Sequence, residues 1–151
     1  ALVKCSANIQ IVAISGKNQK MKESFENIVS SYNKKNTIKI LEFTNKVPEL
    51  MSISTLIITK PGGLTTTESL VSGLPIVVIN PIPGQEESNA KYLEDNKVAM
   101  WLKDTDNAES ILNDLLNDEL KLDDMHVHSM LLAKQNSTKD ICKTLLGITN
   151  L

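Results

Sequence analysis

Apolar residues in this chain follow two alternating rhythms. Ile9–Ile14 (IQIVAI) is a short apolar run closed by Ser-Gly-Lys-Asn, which reads as a buried strand and a turn. From Gln19 to Tyr32 the apolar positions Met21, Phe25, Ile28, Val29 and Tyr32 recur at short helical spacings, which predicts an amphipathic helix. TIKILEF (37–43) is a second strand, and VPELMSI (47–53) a short helix with Pro48 in its first turn. TLIITK (55–60) is a third strand, and TTTESLVSG (65–73) a helix closed by Gly73. PIVVIN (75–80), EESNAKYLEDN (86–96) and VAMWL (98–102) follow as strand, helix and strand. Beyond them the pattern is helical. Ala108, Ile111, Leu112, Leu115 and Leu116 form one stripe, and Met130, Leu131 and Ala133 suggest another. A last helix runs over 137–148 with Ser137 as its cap.

Five short strands rich in Ile and Val, alternating with helices, predict an α/β chain: a Rossmann-like parallel sheet flanked by helices, with a helical C-terminal tail, in one domain over 1–151. Crossovers between such strands are right-handed. Ligands of this architecture sit beyond the carboxyl ends of the strands. Three chemically loaded loops lie there: SGKN (15–18), KPGGLTTTE (60–68) and NPIPGQEESN (80–89).

Composition narrows the classes. The 151 residues carry 16 Lys and Arg against 18 Asp and Glu, a net charge of −2, with 3% aromatics. Neither charge nor stacking surface supports a nucleic-acid partner. Cys5 and Cys142 are isolated and lack CxxC spacing, so they read as free cytosolic thiols. No apolar run approaches the roughly 20 residues of a membrane span, and the start does not read as a secretory signal. A chain that begins at Ala1 without Met fits removal of an initiator, or excision from a longer protein.

In the second loop, Gly62 and Gly63 follow a strand and precede a helix, so a ligand can approach the backbone closely. The helix start offers unpaired N–H groups and a positive dipole end, which suit a phosphate or diphosphate. Thr65, Thr66 and Thr67 add hydroxyls. The competing reading is a capping box, Thr65-x-x-Glu68, in which both side chains serve the helix alone. Turned outward, Glu68 can instead accept two ribose hydroxyls. Ser15 and Gly16 could donate N–H groups to a phosphate, or form an ordinary strand-to-helix turn. In the third loop Gln85 and Asn89 are four apart and share a helical face, and their amides suit sugar hydroxyls. A solvated first helical turn, with Glu86 complementing the dipole, is the alternative.

Other chemistry is excluded or weak. There is no GxGxxG fingerprint and no P-loop. Asp104-Thr105-Asp106 matches a DxD metal pattern but opens a helix, where Asp is a favoured cap, and no third ligand is in view. No metal is therefore expected. His126 and His128 are two apart in a helical region and face different directions. No Ser-His-Asp set can be assembled.

Taken together, GGLTTTE, GLPIVV and PIPGQEESNA form a specific combination. The stretch EFTNKVPELMSISTLIITKPGGLTTTESLVSGLPIVVINPIPGQEESNAKYLEDN resembles the donor-binding half of GT-B glycosyltransferases, above all diacylglycerol glucosyltransferases and monogalactosyldiacylglycerol synthases. It resembles the N-acetylglucosaminyltransferase of peptidoglycan synthesis more distantly. The resemblance covers Ile9 to about Leu102. It implies a C-terminal domain that binds a UDP-hexose, with the acceptor and the catalytic base on an N-terminal domain absent here. The backbone near Phe43 and Thr44 would contact uracil. Gly16, Gly63, Leu64 and Thr65, beside Gly62 and Thr66, would cradle the diphosphate. Glu68 would bind the ribose, and Gln85, Glu86 and Asn89 the hexose. No catalytic residue is expected in this domain. Charge on the departing UDP would be stabilised by helix N-termini without a metal. The implied enzyme is a hexosyltransferase with a lipid acceptor, cytoplasmic and peripheral to the membrane. Two other readings remain: a separate non-catalytic donor-binding subunit of a membrane glycosyltransferase, and a fragment of a GT-B UDP-sugar epimerase.

Overall fold

The computed structural model describes residues 1–32, 37–103 and 107–147. After a 3-10 turn at Leu2–Lys4 come β1 (Gln10–Ile14), α1 (Gln19–Ser31), β2 (Thr37–Leu41), α2 (Val47–Ser52), β3 (Ile57–Thr59), α3 (Gly63–Val71), β4 (Ile76–Ile79), α4 (Gln85–Asp95) and β5 (Ala99–Leu102). Three helices follow: α5 (Ala108–Asn117), α6 (Glu119–Leu132) and α7 (Ser137–Leu146). All pairings are parallel, as the α/β pattern requires. Among the described residues the ladders fall into two groups, β1–β2 and β3–β4–β5, rather than one continuous sheet. Periodicity specifies strands and their direction, but not which edges pair.

β4 shows why the central strand is apolar without interruption. Ile76, Val77 and Val78 have no exposed surface, and side chains alternate across a strand. Val77 packs with Cys5, Leu102, Leu112, Leu115, Leu122 and Met125. Ile76 and Val78 pack with Leu70, Ala90, Leu93 and Val98. Both faces of β4 are thus covered by helices, and each such side chain contributes about 1.5–3 kcal/mol through burial. The start of the chain belongs to this core: Cys5 is buried, and Ser6 donates through its N–H and Oγ to Asn113 Oδ1, at 2.8 and 2.7 Å.

Gly73 ends α3 as the pattern predicts. Leu74 N–H donates to Ser69 O and Gly73 N–H to Leu70 O, with Gly73 at φ +68°, a Schellman ending. A Cβ at Gly73 would lie 2.6 Å from His126 Cε1, whose ring Nδ1 is 2.6 Å from Gly73 O. Ser129 Oγ donates to Leu74 O, so α6 is tied to the end of α3 twice.

The tail differs from expectation in detail. The buried face of α6 is Leu122, Met125 and Ser129, while Leu131 is 77% exposed and Met130 43%. Of the stripe expected at Met130, Leu131 and Ala133, the first two are therefore off the packed face, whereas Ala133 packs against the cluster of Ile76, Val78 and Leu93. Seating Leu122 and Met125 against α5 turns Met130 and Leu131 outward. Asn136, not Ser137, is the cap position of α7. The last residues of that predicted helix, from 148 on, lie outside the described residues. Among the described residues, no helix is long and apolar enough to cross a membrane.

Candidate functional site

The carboxyl end of β3 leads through Lys60 and a fully buried Pro61 into two glycines. Gly62 N–H donates to Lys60 O at 2.9 Å, which makes the turn tight. Gly62 is the N-cap of α3, and the first helical bond runs from Thr66 N–H to Gly62 O. The N–H groups of Gly63, Leu64 and Thr65 therefore have no intrahelical acceptor, and no side chain caps them. They point out of the helix at its positive dipole end. A Cβ on Gly62 or Gly63 would meet nothing within 4 Å, and Gly62 has an ordinary φ of −70°. Neither packing nor backbone conformation demands glycine at Gly62, so its missing side chain keeps space open in front of the helix.

This overturns the capping box. The helix begins at Gly63, two residues before the predicted start, so Thr65 is its third residue and cannot be the cap. A helix can start on glycine because glycine is tolerated at the N-cap. Glu68 lies in the second turn, exposed, four residues after the exposed Leu64, and the two share one face. The Thr67 hydroxyl is used inside the helix, donating to Gly63 O at 2.8 Å. The Thr66 hydroxyl is enclosed and makes no hydrogen bond, a desolvation that costs about 1–3 kcal/mol.

The second lip follows β4. Asn80 at φ +43° and Gly84 at φ +96° turn the chain into α4. Glu86 Oε2 accepts from Ile82 N–H at 2.7 Å, and Glu87 Oε2 from Gly84 N–H at 3.3 Å. Two first-turn carboxylates thus hold the Pro-Gly loop while complementing the helix dipole. Gln85 is exposed at the first position of α4. Asn89 Nδ2 donates to Pro61 O at 2.9 Å and joins the two lips. Sequence reasoning missed this link, because nothing in a spacing reveals a bond between residues 28 apart.

The remaining expected positions lie at the carboxyl ends of β1 and β2. Ser15 is buried, and its N–H and Oγ both donate to Leu41 O, at 2.9 and 3.3 Å, fixing the turn that carries Gly16. Asn18 caps α1 by accepting from Met21 N–H. Phe43, expected inside the second strand, lies past its end and is 71% exposed. Thr44 Oγ1 accepts from Lys46 N–H. These two turns are tied to each other through Ser15 and Leu41. Asp104 and Asp106 lie outside the described residues. His126 and His128 serve the fold, with Nδ1 atoms 2.6 Å from Gly73 O and 2.8 Å from Asp124 O. A surface depression between Lys4, Ser6, Glu109 and Asn113 is lined by groups that bond to one another.

The arrangement can hold an anion at the uncapped start of α3. Comparison with known proteins identifies the family and the fold. The family model described as "Glycosyltransferase family 28 C-terminal domain" matches residues 1–145. A processive diacylglycerol beta-glucosyltransferase of Bacillus licheniformis is 33% identical over 139 residues, covering 92% of this chain and 36% of that protein. Its counterpart in Staphylococcus haemolyticus is 38% identical over 144 residues, 95% of this chain and 36% of that protein. The chain thus spans little more than a third of these relatives. Among solved structures, Acinetobacter baumannii MurG superposes with a TM-score of 0.82 at 24% identity, over 97% of this chain and 44% of that one. Phytolacca americana UGT2, solved with UDP-2fluoro-glucose and pterostilbene, superposes with a TM-score of 0.63 at 14% identity, over 95% of this chain and 42% of that one. At these identities the structures report the fold alone.

Proposed function

The chain belongs to the family of glycosyltransferase family 28 C-terminal domains, and from that premise we propose that it is the nucleotide-sugar-binding half of a hexosyltransferase acting on a lipid acceptor such as diacylglycerol. The observation that carries this reading is the uncapped start of α3 behind Gly62 and Gly63, where Gly62's conformation and surroundings do not require glycine. The names of the relatives support transfer of a glucosyl group and a diacylglycerol acceptor.

In this reading the N–H groups of Gly63, Leu64 and Thr65 take the diphosphate, with Gly16 opposite. Glu68 accepts the ribose hydroxyls, the turn at Phe43 and Thr44 meets uracil, and Gln85 reaches the hexose from a lip shaped by Glu86 and Asn89. Charge that develops on the departing UDP is stabilised by preorganised N–H dipoles, with no metal required. The acceptor hydroxyl needs a positioned base, which the reading assigns to an acceptor-binding domain outside this chain. The enzyme would work at a membrane surface from the cytoplasmic side.

Calorimetric titration of the chain with UDP tests the proposal. Binding in the sub-millimolar to millimolar range is expected, unchanged by EDTA, and an absence of heat and of amide shifts would refute it. Glu68→Ala is expected to weaken UDP and UDP-glucose alike, whereas Gln85→Ala weakens UDP-glucose alone.

A further inference from the structure

We propose that Asn89 is a positioning residue for donor binding: it acts through the main chain of the diphosphate lip, setting the direction of the α3 N–H groups from the helix that carries the hexose lip. The inference deepens the preceding reading and rests on it.

The geometry is specific. Asn89 lies on the second turn of α4, four residues after the exposed Gln85 and three after Glu86. Its neighbour Ala90 is fully buried, and so is Leu93, so the helix is seated firmly against the core. From there the Asn89 amide crosses to the other lip and donates to Pro61 O at 2.9 Å. Pro61 has no N–H, and its residue is fully buried, so the carbonyl is its one polar main-chain group and has little access to water. The next residue is Gly62, the cap of α3, with Gly63 after it.

That order of residues makes the bond consequential. Gly62 and Gly63 have no side chains to brace the turn, and nothing lies within 4 Å of where their Cβ atoms would be. The turn is held by the Gly62 N–H bond to Lys60 O and by the Asn89 amide on the preceding carbonyl. Without the Asn89 bond the Pro61–Gly62 peptide is free to turn, and the first turn of α3, where the three uncapped N–H groups lie, loses its brace. Because the Asn89 Nδ2 group is committed to this carbonyl, its substitution acts on the phosphate cradle first and on the sugar only as a consequence. The loop before α4 is pinned independently, by Glu86 and Glu87 onto Ile82 and Gly84. Asn89 is therefore spare for the cross-link.

The test compares wild type with Asn89→Ala in two readouts. In the ligand-free chain, the amide resonances of Gly62, Gly63 and Leu64 are expected to shift and their hydrogen exchange to quicken. In titrations, affinity for UDP and for UDP-glucose is expected to fall severalfold by the same factor. Unchanged amides at Gly62–Leu64, or a loss confined to UDP-glucose, would overturn the proposal and make Asn89 a direct sugar ligand. A lower melting temperature with intact UDP affinity would reduce it to a structural bond. Should Asn89→Ala fail to fold, Asn89→Asp keeps the shape but replaces the donor with an acceptor, and the same ligand-free amide shifts decide the matter. If the wild type binds no UDP, the proposed function falls, while the ligand-free comparison still reports whether Asn89 holds the cradle.

Discussion

Glycine means opposite things at Gly73 and Gly63, and the difference is testable. At Gly73 the backbone is left-handed and a Cβ would strike the His126 ring at 2.6 Å. Gly73→Ala is expected to destabilise by about 1–2 kcal/mol from conformation alone, plus the clash, and His126→Ala in the same chain should return only the clash. Gly63 opens a helix in free space. Gly63→Ala should raise stability by about 0.5–1 kcal/mol through helix propensity, yet lower UDP affinity by filling the space before the N–H groups. Urea unfolding and UDP titration of the two variants measure both effects. Gains in stability without loss of UDP binding would count against the diphosphate cradle.

At the scale of elements, α1 is joined to β2 through an ion pair between Lys22 and Glu42. The hydrogen bond from Lys22 holds the Glu42 carboxyl below its ordinary value, and the bond to Glu42 raises the Lys22 ammonium above its own. The acid's contribution is present above the unfolded carboxyl range and fades as pH falls through the depressed folded value. The base's contribution is present below its ordinary value of 10.5 and fades as pH rises through the raised one. Both groups are solvent-accessible, so the pair is also screened by salt. The urea midpoints of wild type and Glu42→Gln should thus differ slightly at pH 7 and low salt, and converge as pH falls through the depressed Glu42 value or in high salt. Element types were legible in the chain because periods of two and 3.6 leave different marks on its apolar residues. Element ends were less so: α3 starts two residues before its threonines suggested, since the cap is a glycine with no side chain to advertise it.

At the scale of the molecule, the first residues close the core that α5 and α6 build against β4. Cys5 belongs to that cluster, and burial pushes its thiol up from the ordinary value, while Cys142 on α7 is exposed. The thiolate is the reactive form. A disulfide exchange reagent such as DTNB should therefore label one thiol quickly in the native chain and the second only on unfolding, and mass mapping should place the fast label on Cys142. Rapid double labelling would mean that the amino-terminal turn is not seated.

The sequence by itself determined the α/β class, the strands, their parallel direction and the loops that carry the candidate site. Those features are written in local periodicity and in glycines and prolines, which act within a few residues. Tertiary structure alone decided that Cys5 is core and that Met130 and Leu131 are not. It also decided that Glu68 has no capping partner, and that Asn89 reaches the carbonyl of Pro61. Each of these depends on which surfaces meet across the fold, and a one-dimensional pattern holds no distance between residues far apart in the chain.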